Sequence, residues 1–144
     1  MALPTALPTK LLLEIVTPDR SIVREEVDEI QVPGSEGYLG ILPGHTPLLA
    51  TLKVGELWYR TGRETQHLAI ASGFVEVLPD HVTVLAQVAE RAQEIDVARA
   101  EAAKKRAEER LERPQGDMDF ERARIAMMRA LVRLQVAARA RTRA

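Results

Sequence analysis

Between Asp96 and Arg113 the chain holds neither Gly nor Pro, and Ala, Glu, Lys and Arg make up nearly all of it. These are the strongest helix formers, so the run has one cheap conformation. Upstream the pattern is different. KLLLEIVTP, SIVREEV, VDEIQVPG, GYLGILPG, TLKVGELWYRT and ETQHLAIA are short, and Gly or Pro punctuates most of them, as at Pro33-Gly34, Pro43-Gly44 and Gly62. In the clearest stretch, Val75 and Val77 alternate with Phe74, Glu76 and Leu78; after the turn Leu78–His81, Val82, Val84 and Ala86 resume the alternation. Period two before residue 88 or so, and 3.6 after it, means a β module followed by an α module. A doubly wound fold would interleave the two.

The first module is expected to be an antiparallel β-sandwich of about ten short strands over residues 10–92. Gly73 inside the alternation predicts a bulge or a close backbone approach. The second, residues 93–144, is expected to be a two-helix antiparallel hairpin. Pro114-Gln115-Gly116 breaks it, and the second helix starts at Asp117 or Asp119, either a fair N-cap. Ala100, Ala103, Ala107 and Leu111 would line one helix; Phe120, Ala123, Met127, Leu131, Leu134 and Ala138 the other. An alanine seam buries little area, so the hairpin should dock weakly and be able to detach.

Charge separates the modules too. Residues 1–93 carry 12 acids and 7 bases, a net −5, whereas 94–144 carry 9 and 13, a net +4. The chain has 144 residues and no cysteine, which excludes disulfides and thiolate metal sites and fits a reducing compartment. Residues 1–9, with two Leu-Pro-Thr units, read as an extended tail and not as a signal peptide. His45, His67 and His81 show no metal-ligand spacing, and there is no phosphate loop or nucleophile elbow. Neither metal nor catalysis is therefore expected. The arginine-rich end lacks aromatics over 121–144, which argues against nucleic acid and for an acidic protein surface.

Gly34-Ser35-Glu36-Gly37-Tyr38-Leu39-Gly40-Ile41-Leu42-Pro43-Gly44-His45-Thr46-Pro47-Leu48 resembles the GxLGILPGHxPL signature of the epsilon subunit of F-type ATP synthases, bacterial type. Ser72-Gly73-Phe74-Val75-Glu76-Val77, Val82-Thr83-Val84-Leu85-Ala86, Ala89-Glu90-Arg91-Ala92 and Ile95-Asp96-Val97-Ala98-Arg99-Ala100 follow in the family's order, so the likeness spans about residues 10–138. The resemblance implies a non-catalytic subunit of the central stalk, peripheral on the cytoplasmic face of a bacterial plasma membrane. It would couple rotation of the c-subunit ring to the catalytic head, and its hairpin would brake ATP hydrolysis. Pro43, Gly44, His45 and Leu48 would face the gamma subunit. Glu36 and Tyr38 would meet the c ring, although members often carry an acid where Tyr38 stands.

The resemblance also implies a regulatory ATP site. Ile95, Asp96, Arg99 and Ala100 match the family's I/L-D-x-x-R-A motif, and Glu90, Arg122, Arg129 and Arg133 match the positions that join it. No cofactor is otherwise required. Arg122, Arg129 and Arg133 share a helix face, on which guanidiniums can fork onto phosphates. Against this, Asp96 is also a good N-cap, and Arg99 could simply pair with it. In an extended hairpin Arg122, Arg124, Arg129, Arg133 and Arg139 would hold an acidic segment of the beta subunit, beside alpha. The alternative reading is a stand-alone sandwich adaptor whose basic arm binds an acidic protein or nucleic acid.

Overall fold

The computed structural model describes residues 7–141, and the first six residues of the expected tail lie outside them. Eight strands come first: β1 (Leu11–Val16), β2 (Ser21–Val27), β3 (Glu29–Gly34), β4 (Gly37–Ile41), β5 (Leu48–Leu52), β6 (Gly55–Thr61), β7 (Glu64–Leu78) and β8 (His81–Arg91). A short 3-10 turn (Ala92–Glu94) leads to α1 (Val97–Glu112) and α2 (Asp117–Arg141). Sandwich-then-hairpin is the order read from the sequence, with eight strands in place of about ten. Part of the difference has a local cause. ETQHLAIA and GFVEVL, separate in the sequence pattern, are one continuous 15-residue strand. A second difference is that β1 runs parallel to β8, from Leu12 beside His81 to Val16 beside Leu85, while every other pairing is antiparallel.

One creased ribbon makes both layers. β5 and β6 pair with β7 in the same register, Leu52 opposite Gly73 and Gly55 opposite Ile70, so they act as one strand interrupted at Lys53-Val54. β7 and β8 likewise keep one register on both sides of Ser72. The break crosses all three strands at the same level and reverses which side chains face inward. Leu68 and Ile70 are buried before it, Val75 and Val77 after it; Val82 and Val84 lead to Ala89 on β8. One layer is then β2, β1, the first half of β8, the second half of β7, and β5. The other is β4, β3, β6 and the remaining halves. Leu11, Leu13, Ile15, Ile30, Val32, Leu57, Tyr59 and the alternating residues of β7 and β8 fill the space between.

Gly73 is the expected close approach. Its φ is +149°, and a Cβ there would sit 2.0 Å from the Leu85 carbonyl oxygen. No rotamer relieves a clash with backbone. Gly73→Ala is therefore expected to lower stability by about 3 kcal/mol, measured as a shift in urea midpoint with unchanged slope.

The helices pack on each other through Ala100, Ala107, Ala123 and Ala130, so small residues let the axes come close. The stripe read for α2 needs correction. Phe120 and Leu131 are 43% and 45% exposed, while Ala130, Val136 and Ala137 are buried. The helix serves two surfaces. Ala123 and Ala130, seven residues apart, lie along α1, and Val132, Val136, Ala137 and Ala140 turn toward the sheet with Ala69, Ala92 and Ile95. A single-stripe reading cannot separate two contact lines on one helix. Among the described residues no helix is long and apolar enough to cross a membrane.

Candidate functional site

The hairpin covers the outer face of the layer that contains β6. Between them lies a cavity of about 530 Å³. Its floor is apolar sheet, Val54, Ile70, Ala71 and Val88; its walls are Ala103, Ala126 and Ala130 of the helices. Four guanidiniums edge it, from Arg99 and Arg106 on α1 and Arg129 and Arg133 on α2, with Glu90 as the carboxylate. Arg133 is already engaged: its Nε lies 2.8 Å from Glu90 Oε1, and its Nη2 donates to Oε2 at 3.1 Å. That leaves Arg99, Arg106 and Arg129 as the surplus positive charge. A flat apolar group against the valines and an anion against the arginines would both be satisfied there.

Of the eight residues read as a nucleotide site, Glu90, Arg99, Arg129 and Arg133 line this cavity together. Ile95 and Ala100 are buried in the packing beneath and between the helices. Asp96 caps α1, its carboxylate accepting the Arg99 backbone N–H at 3.0 Å. Arg122 is exposed, two turns from Arg129 toward the hairpin tip, and does not line the cavity. Arg106 was not singled out in the sequence. The signal was its position seven residues after Arg99, which returns a helical side chain to the same face.

The remaining arginines are partly committed. Arg124 donates to both oxygens of Glu121 at 3.2 and 3.0 Å, and this guanidinium holds the Glu121 carboxyl below its usual range. Arg139 forks onto Glu56 at 3.2 and 3.4 Å.

The other predicted groups lie away from the hairpin. Ser35 and Glu36 form the two-residue turn between β3 and β4, pinned by the Ser35 N–H to the Thr51 carbonyl at 2.9 Å. Tyr38 is exposed beside it, with the Lys53 ammonium 5.9 Å from its ring centre. Pro43, Gly44 and His45 connect β4 to β5, and Gly44 N–H donates to the Pro79 carbonyl at 2.7 Å, tying this loop to the β7–β8 turn. Leu42, Leu48, Leu49 and Leu78 are exposed around that junction, Leu49 by 71%. Phe74 and Leu85 continue the apolar surface across the uncovered layer, facing each other on β7 and β8.

A sandwich with an exposed apolar patch at Leu49, Phe74 and Leu85 on one face and a basic hairpin on the other has the layout of a binding subunit with two separate surfaces. The comparisons name the family. Residues 10–92 match the model described as ATP synthase, Delta/Epsilon chain, beta-sandwich domain, and residues 93–138 match ATP synthase, Delta/Epsilon chain, long alpha-helix domain. The chain belongs to this family. An ATP synthase epsilon chain of Syntrophobacter fumaroxidans is 52% identical over 128 residues, covering 89% of this chain and 96% of that one. The epsilon chain of Koribacter versatilis is 60% identical over 99 residues, 69% of this chain and 70% of its own. A chain in the cryo-EM structure of the Euglena gracilis mitochondrial ATP synthase, OSCP/F1/c-ring in rotational state 1, superposes with a TM-score of 0.80 at 23% identity. That likeness covers 95% of this chain and 84% of that chain and speaks for the fold.

Proposed function

We propose that this chain is a non-catalytic subunit of the central stalk of a rotary ATP synthase, in which the sandwich transmits rotation and the hairpin regulates hydrolysis. The observation that carries the reading is the division of surfaces: an exposed apolar patch on one layer, a thinly docked basic hairpin on the other. The bare face suits permanent association with gamma, entered through Pro43, Gly44, His45 and Leu48 and extended by Leu42 and Leu49. The Glu36–Tyr38 turn suits the c ring. The subunit would then sit peripherally on the cytoplasmic face of a bacterial plasma membrane.

The hairpin works as an arm. Docked, it encloses the arginine-edged cavity, where ATP would bind as a regulatory ligand and hold it down. Released, it offers Arg122, Arg124, Arg129, Arg133 and Arg139 to the acidic segment of beta, next to alpha, and brakes hydrolysis. Copurification with gamma is the experiment that separates this reading from a free-standing adaptor. Leu49→Asp is expected to weaken gamma capture by about tenfold or more, because it places a charge at the centre of an apolar contact. Full retention of gamma by Leu49→Asp would move the contact elsewhere, and no capture of gamma by the unmodified chain would sink the stalk assignment.

A further inference from the structure

Across the sheet face beneath the hairpin, Glu56 of β6, Ala69 of β7 and Glu90 of β8 stand in one cross-strand row. α2 crosses this row. Val136 and Ala137 pack with Ala69. Three residues before Val136, Arg133 reaches Glu90; three residues after it, Arg139 reaches Glu56. A step of three residues turns a helix about 60° short of a full turn, so the two arginines splay to opposite sides of the contact line. The helix is held by one small apolar contact with an ion pair on either side.

The two pairs are not equivalent. Glu90 and Arg133 are each partly exposed, at 27% and 21% of their side chains, and belong to the cavity. Glu56 is more buried: its side chain is 9% exposed, whereas that of Arg139 is 47% exposed. Among the described residues, a second cationic candidate facing Glu56 is His67, whose Nδ1 lies 3.7 Å from Oε2. Docking therefore takes the acid out of water and leaves much of the base in it.

We propose that the Glu56–Arg139 pair is the catch that sets the balance between the docked and released hairpin. It rests on the reading of the hairpin as a detachable arm. Losing Arg139 leaves a buried carboxylate without its forked partner in the docked state, and release hydrates that carboxylate. Losing the charge on Glu56 costs less, because the Arg139 side chain is already 47% exposed in the docked state. Removal of the base should thus release the hairpin far more than removal of the acid, an order that simple packing by Arg139 does not produce.

The test uses the full-length chain, which has no native cysteine. Spin labels on Arg63→Cys, in the β6–β7 turn, and Ala102→Cys, on the exposed side of α1, report hairpin position by pulsed dipolar distance distributions. Arg139→Gln is expected to raise the released population about tenfold at moderate salt, Glu56→Gln much less, and the double variant Glu56→Gln/Arg139→Gln to return most of the way to the docked distribution. An unchanged distribution in Arg139→Gln, or a double variant as released as Arg139→Gln alone, would overturn the catch. The combined variant Glu90→Gln/Arg139→Gln at about 1 M salt separates the two levels. If it frees the hairpin while Arg139→Gln alone does not, the catch is wrong and the arm stands; if the hairpin stays docked even there, the arm itself is wrong.

Discussion

Ending the chain after Glu94 is expected to raise ATP hydrolysis by the assembled synthase several-fold while leaving a folded sandwich that still joins gamma. The structure separates the two consequences. The main core, from Leu11 to Ala89, contains no residue of either helix. The hairpin meets the sandwich through a second, small cluster in which Ala69, Ala92 and Ile95 face Val136 and Ala137. Such small side chains bury little area each, and at about 25 cal/mol per Å² the lost contact is minor beside the sandwich core. Truncation also exposes Glu56 and Glu90, which water solvates well once their arginines are gone. The remaining domain should therefore unfold in a single transition at a temperature close to that of the full chain. Hydrolysis by complexes assembled with full-length or truncated chain is the decisive measurement. Equal rates would remove the braking role and leave the hairpin without a regulatory task.

Much of the architecture was legible because its physical signals are local. Val75, Val77, Val82 and Val84 alternate inward as their spacing requires, and Gly73 sits where a side chain would strike the Leu85 carbonyl. The crease was not legible in the same way. It consists of a parity change at the same level in three strands, and each change looks like an ordinary irregularity until register aligns them. The parallel contact of β1 with β8 is a long-range pairing that no local pattern announces. For α2, the stripe read from the sequence included Ala123 but not Ala130, Val136 or Ala137, since the second contact line depends on where the sheet lies.

The candidate site shows the same division. Arg99, Arg129 and Arg133 are brought to one cavity by helix periodicity and hairpin closure, both readable in advance. Arg106 was readable by the same spacing and overlooked. Asp96 is different: side-chain identity alone does not distinguish a ligand-binding carboxylate from a helix cap, and its bond to the Arg99 N–H settles which contact it makes in this conformation. Its value to the site would then be indirect, through the position of Arg99 at the first turn of α1.

That difference gives ATP titration of the isolated chain a graded outcome. Arg99→Ala and Arg129→Ala are each expected to cut affinity by at least about tenfold, because each removes a guanidinium that no described carboxylate neutralises at the cavity edge. Asp96→Ala should cost less, about 1 kcal/mol through a loosened helix start, and Asp96→Ser should recover most of it because serine also caps. Arg133→Ala is expected to weaken binding while also freeing Glu90, whose charge would then oppose the phosphates. Glu90→Gln should do the reverse, releasing Arg133 to the ligand and tightening binding if the hairpin stays closed. Calorimetry at two salt concentrations checks the electrostatic origin, since affinity carried by exposed guanidiniums falls as ionic strength rises. Binding lost equally in Asp96→Ala and Asp96→Ser would make the carboxylate a direct ligand contact after all. No saturable binding into the millimolar range would leave the arginines with the acidic segment of beta as their one proposed partner, and the hairpin would then respond to contacts in the assembled motor and not to free nucleotide.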